Sequence, residues 1–121
     1  MSGERSCTES HSVNPAEAFE TLEIRVGRIL RAEPNPRARK PSYKLWIDFG
    51  PLGQKTSSAQ LTARYRPEQL TDRLVLAAVN LGDRNVAGFR SEVLVLGVPD
   101  ATGETVLLAV EQEVPLGGRV Y

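Results

Sequence analysis

Apolar and polar positions change period along this chain. Residues 1–13 are polar and aperiodic and read as a flexible tail. Asn14 then offers a helix N-cap, Pro15 suits the first helical position, and Glu17 stands where a capping box places an acid. A short helix from Ala16 to about Thr21 follows, with Phe19 and Leu22 sharing a face. From Leu22 the period becomes two: Leu22, Ile24 and Val26 alternate with Glu23 and Arg25. Ile29 is apolar on the other phase, and a bulge or tight bend near Gly27 would explain the switch. Leu45, Ile47 and Phe49 alternate with Lys44, Trp46 and Asp48 in a second strand. Gly50 to Gly53 is a turn, and QKTSSAQLT (54–62) a polar third strand. Pro67 to Leu70 suggests a helical turn. LVLAAVNL (74–81), VLVLGV (93–98) and TVLLAV (105–110) are apolar strands, with PNPRARKP (34–41) and 82–92 as loops.

Five or six strands with one short helix and no strand–helix–strand spacing point to an all-β fold. A small Greek-key barrel or sandwich fits, and a five-stranded OB-fold barrel with short flanking helices is the commonest barrel of this strand count. The length of 121 residues allows one domain. No apolar run is long enough for a membrane span, and the N-terminus lacks a signal peptide's apolar core, so a cytoplasmic protein without membrane insertion is expected.

The formal net charge is +0, yet the charge is segregated. Residues 1–24 hold one Arg against five Glu, a net −4. Residues 25–66 hold ten Lys and Arg against Glu33 and Asp48, a net +8, and residues 67–121 four Arg against eight acids, a net −4. A middle third so basic is the footprint of a polyanion partner. Seven of its ten cations are Arg, whose planar fork suits phosphate. Catalytic chemistry is hard to assemble. The single His11 and single Cys7 both lie in the tail, and no phosphate-cradling glycine motif occurs. Glu111 and Glu113 read as surface charge. No metal site, cofactor or enzymatic activity is expected. Aromatics are few, which favours recognition of a folded RNA by backbone and shape over base stacking. Trp46 stands on the outward phase of its strand, free to stack a base, pack in a dimer seam or cover a barrel end.

Three segments are familiar: FETLEIRVGRILRAEPNPRARKPSYKLWIDFG, KTSSAQLTARYRPEQL and VNLGDRNVAGFRSEVLVLG. Together they resemble the CsaA-type branch of the tRNA-binding OB-domain family, with AGFRSEVLVLG and the SSAQ–Tyr65–Pro67 pattern as the branch-specific parts. The resemblance runs from about Phe19 to Tyr121. It implies an N-terminal extension over residues 1–18 and a tRNA-binding OB domain over 19–121. It also implies tRNA as the partner, with a chaperone role toward unfolded or pre-secretory polypeptides as the alternative. Matched position by position, it puts Lys55, Ser57, Ser58 and Gln60 of the polar strand on the RNA-facing side, with Asn80 and Ser91 beside them. Arg84 and Arg90 flank that serine. It implies a homodimer whose seam takes Phe19 and Leu22 with Val114, Leu116, Val120 and Tyr121. Two departures stand out. The synthetase-appended relatives follow the serine with Gln or Glu and then Gly-Met, where this chain has Ser91-Glu92-Val93-Leu94. Their His-Pro-Asn-Ala-Asp-Lys-Leu pattern is replaced by the basic loop 34–41.

Overall fold

The computed structural model describes residues 13–121; the expected tail, with Cys7 and His11, lies outside the described residues up to residue 12. The chain enters through α1 (Pro15–Thr21). Asn14 Oδ1 caps it, accepting from the Ala16 and Glu17 amides. The strands are β1 (Ile24–Pro34), β2 (Tyr43–Asp48), β3 (Gln54–Ala59) and β4 (Leu74–Ala78). They continue as β5 (Arg84–Val86), β6 (Phe89–Ser91), β7 (Leu94–Val95), β8 (Gly97–Pro99) and β9 (Thr105–Leu107). A 3-10 turn (Gly50–Leu52) joins β2 to β3, and the one-turn α2 (Pro67–Leu70) precedes β4.

The main sheet is antiparallel throughout, in the order β3-β2-β1-β4-β7. It curls until β3 meets the chain just before β7, where the Glu92 and Val93 amides both donate to Thr56 O at 2.8 and 3.1 Å. The result is the nearly closed five-stranded, OB-like barrel expected from the pattern. Its core is apolar: Ile29, Leu45, Ile47, Phe49, Val75, Ala77 and Val93 are buried together, and α2 contributes Leu70. Burying such side chains is the main stabilising term of a domain this small.

The phase switch in β1 has a different cause from the one expected. Gly27 is not bulged. It faces the core, and a Cβ there would stand 2.6 Å from Ile47 Cγ2 and 2.7 Å from Phe49 Cε1. The bulge comes at Leu30, where the register slips between Ile29↔Ile47 and Arg31↔Trp46. Gly27 and Ile29 therefore belong to the inner face throughout. Val26, on the other phase, is buried outside the core cluster and is bracketed by the C-terminal segment. That segment forms a strap along the free edge of β1. Val26 N donates to Gly118 O at 2.9 Å, Gly117 N to Val26 O at 2.8 Å, and Val120 N to Ile24 O at 2.9 Å.

Three arginines fasten the strap: Arg25 donates to Gly117 O, Arg28 pairs with Glu113, and Arg119 donates to the Glu20 and Leu22 carbonyls beside the end of α1. Elsewhere the expected loop 82–92 contains a hairpin, β5–β6, turned by Ala87 and Gly88 at φ +50° and +84°. Positive φ at both central residues is the turn whose twist suits a two-residue hairpin. The expected strand 93–98 divides at Leu96, since β7 pairs with β4 and β8 with β9.

Replacing Gly27 with Val forces two close-packed core side chains apart. The expected cost is about 1–3 kcal/mol, read from the denaturant midpoint. An unchanged midpoint would show that the inner face of β1 is not packed as described.

Candidate nucleic-acid interface

The ten cations of the basic third do not form one patch; their partners sort them. Arg25 pairs with Glu23, Arg28 with Glu113, Arg31 with Glu33 and Arg64 with Asp100. Among the described residues the other six, Arg37, Arg39, Lys40, Lys44, Lys55 and Arg66, have no carboxylate within ion-pair distance. Of these, Arg37, Arg39 and Lys40 sit in the loop between β1 and β2, and all three line one open groove of about 950 Å³. Leu81 and Gly82 line it too, with Arg84, Asn85, Val86 and Ala87 of the β5–β6 hairpin. Ser58 to Leu61 and Val93 to Val95 form the remaining wall.

Asn35 holds the basic loop in place. It is buried, its Oδ1 accepts from the Arg37 amide at 3.1 Å, and its backbone amide donates to Ser42 O at 3.0 Å. Its side-chain Nδ2 reaches Val86 O at 3.4 Å, joining the loop to the β5–β6 hairpin. Arg37 lies across the hairpin tip, its Nη1 2.6 Å from where a Gly88 Cβ would stand. The positive φ there favours glycine, and the Arg37 guanidinium packs against the space a Cβ would take. Ser42 lines the groove too, and its hydroxyl is buried without a hydrogen-bond partner among the described residues.

Side chains mount the hairpin on β3. Ser91 Oγ accepts from Ser58 N at 2.9 Å, and Glu92 Oε1 accepts from Thr56 N at 2.9 Å. Thr56 Oγ1 lies within hydrogen-bond distance of both Arg90 O and Glu92 Oε1. On the hairpin's other flank Phe89 meets Trp46 edge-to-face, with centroids 5.5 Å apart at 71°. Arg31 covers the Trp46 ring at 4.2 Å, and Lys44 lies about 6 Å from both rings. Trp46 thus joins the hairpin to the outer face of β2, with its own face taken by Arg31.

Of the eight residues expected at the RNA, the groove gathers Ser58, Gln60, Arg84 and Ser91. The other four are placed elsewhere. Ser57 is on the inner phase of β3, opposite Leu45 and fully enclosed, so its hydroxyl cannot meet a ligand in this conformation. Lys55 shares that phase, opposite Ile47. Asn80 ties α1 to β1, accepting from Glu23 N at 2.9 Å and donating to Thr21 O at 2.7 Å. Arg90 is engaged by Asp83, with Nε donating at 2.7 Å, and that bond and charge, with Glu92 behind them, push its pKa further up. The expected site omitted Arg37, Arg39 and Lys40, although the run PNPRARKP carried the signal. Of the expected seam residues, Phe19, Val114 and Tyr121 are exposed, and Leu22, Leu116 and Val120 are half-buried.

With this geometry in hand, the comparisons define the class. Residues 24–119 match the family described as "Putative tRNA binding domain", and the chain belongs to that family. Among solved structures it is similar to chaperone CsaA from Bacillus anthracis, at 48% identity and TM-score 0.83, over 91% of this chain and 100% of that one. The CsaA chaperone protein of Picrophilus torridus matches at 37% identity and TM-score 0.83, over 90% of this chain and 100% of that one. A MetRS related protein from Pyrococcus horikoshii matches at 27% identity and TM-score 0.80, over 91% and 99%. The methionine–tRNA ligase of Archaeoglobus fulgidus is 35% identical over 118 residues, which are 98% of this chain but 18% of the ligase. The chain thus spans less than a fifth of that relative's length.

Arg64 is paired with Asp100, whose carboxyl is held at about 2 by the Thr102 hydroxyl, then the Thr102 amide, with smaller help from the Glu104 amide and Arg64, against the effect of burial. A lowered folded-state pKa contributes stability above the ordinary value of 3.8, lost as pH falls toward 2. In Asp100→Asn, the acid-induced loss of stability over that window is expected to be smaller than in the parent, as read by denaturation at stepped pH. An identical acid profile would remove Asp100 from the account.

Proposed function

We propose that this protein is a non-catalytic, cytoplasmic tRNA-binding protein that takes tRNA in the groove between the β1–β2 loop and the β5–β6 hairpin. The observation that carries this is the convergence of Arg37, Arg39, Lys40 and Arg84 on one groove, while Arg25, Arg28, Arg31 and Arg64 are held by carboxylates elsewhere. Phosphate contacts from these side chains supply affinity without sequence choice. Ser58, Gln60 and Asn85 add hydrogen-bonding groups of the kind that meet ribose hydroxyls and base edges. Family membership supports tRNA as the polyanion.

The expected experiment is tRNA binding against a salt series. Each phosphate contact contributes about 0.7–0.9 to the slope of log affinity on log salt. The triple variant Arg37→Ala, Arg39→Ala, Lys40→Ala should weaken every tRNA alike and flatten that slope by about 2–3. An unchanged slope would remove the groove from the RNA contact.

A second reading, a chaperone for unfolded or pre-secretory polypeptides, is favoured by two exposed leucines in the same groove, Leu81 and Leu94, 56% and 49% exposed, and by the likeness to two CsaA chaperones. It shares with the first a two-fold dimer. Support for the dimer comes from Phe19 on α1 and Val114 and Tyr121 on the strap, exposed apolar residues on elements that Arg119 ties together. Light scattering at micromolar concentration should give twice the 13.3 kDa chain mass, and Phe19→Glu with Tyr121→Glu should halve it. A monomeric parent would contradict the dimer.

A further inference from the structure

Glu92 presents a puzzle for a phosphate-binding groove. It is an acid adjacent to Ser91 and Val93, which line the groove, and its charge opposes a polyanion. Its contacts account for its presence. Thr56 and Ser58 point their amides outward from β3, away from β2, where a neighbouring strand would supply carbonyls. No strand does so at these two positions. Glu92 Oε1 takes Thr56 N at 2.9 Å, and Ser91 Oγ takes Ser58 N at 2.9 Å. Glu92 N returns a bond to Thr56 O at 2.8 Å, so residue 92 grips Thr56 through both its backbone and its side chain. Behind it Arg90 bridges toward Asp83, its Nη2 3.8 Å from Glu92 Oε2, linking both roots of the hairpin to β3. The hairpin carries Arg84 and Asn85, and its tip meets Arg37.

We propose that Glu92 is a positioning residue for RNA binding. Its carboxylate stays off the RNA and fixes the β5–β6 hairpin on β3, which sets the distance between Arg84 and the basic loop. The inference rests on the tRNA reading above, and it separates reach from charge. If Glu92 acted only as a surface charge, removing the charge would tighten tRNA binding and shortening the side chain would change nothing. As a positioning residue it behaves in the opposite way to shortening: the acceptor must reach Thr56 N, and the charge is dispensable.

The test compares Glu92→Gln, Glu92→Asp and Glu92→Ala with the parent, using tRNA affinity at fixed salt and amide hydrogen exchange at Thr56. Glu92→Gln keeps an Oε1 at the same reach, so affinity equal to or above the parent and unchanged Thr56 protection are expected. Glu92→Asp keeps the charge but is one methylene short, so binding about fivefold weaker or more is expected, with faster Thr56 exchange. Glu92→Ala should follow Glu92→Asp. Because Glu92→Asp is the mildest truncation, it keeps the test open if Glu92→Ala does not fold. Parent-level affinity in Glu92→Asp, or weakened affinity with Thr56 protection intact, would overturn the proposal while leaving the tRNA reading standing. A parent that binds no tRNA would instead overturn the tRNA reading, and this inference with it.

Discussion

The barrel closes on a strand that lacks a full partner. β3 bonds to β2 along one edge, and its other edge meets only a short stretch of chain before β7. Buried or half-buried amides left without acceptors are costly, so side chains take the place of the missing strand. Ser91 and Glu92 do this, and in doing so they seat a hairpin over the outer face of the sheet. The groove lies where that hairpin meets the β1–β2 loop beside β3. Closure of the barrel and construction of the candidate site are therefore one event in this fold.

The same economy governs the arginines. A run of ten cations among residues 25–66 looks like a single electrostatic surface when read along the chain. Folded, it divides by function. Arg25 and Arg28 fasten the C-terminal strap, Arg31 covers Trp46, and Arg64 binds the turn after β8 through Asp100. Lys44 lies beside Trp46 and Phe89, Lys55 and Arg66 stand outside the groove lining, and the loop cations, without carboxylates among the described residues, share the groove with Arg84. Phosphate attraction in the groove then comes from both the β1–β2 loop and the β5–β6 hairpin, where it steers and orients a ligand.

Local signals explain what was legible in the sequence. The cap at Asn14, the alternation in β2 and the apolar run in β4 each satisfy one rule within a few residues, and each element forms where expected. Gly27 misled because two buried environments flank one strand. The switch of phase came from the strap, contributed by residues some ninety positions later. The site was half legible for the same reason. Ser58, Gln60, Arg84 and Ser91 reach the groove, but Ser57 is turned inward by the pleat, and Asn80 and Arg90 find intramolecular partners that no spacing reveals. The basic loop was visible as composition, yet its place opposite the hairpin depends on Asn35 bonding to Val86 across the fold.

The central claim is that tRNA occupies this groove. Mapping backbone amide shifts of isotope-labelled protein during tRNA titration tests it most directly. The account predicts that perturbed amides cluster in 37–40, 58–61, 84–87 and 93–95, with α1 and the strap undisturbed. Perturbations centred on α1 and the strap, or scattered over Arg25, Arg28 and Arg64 with the groove silent, would contradict it.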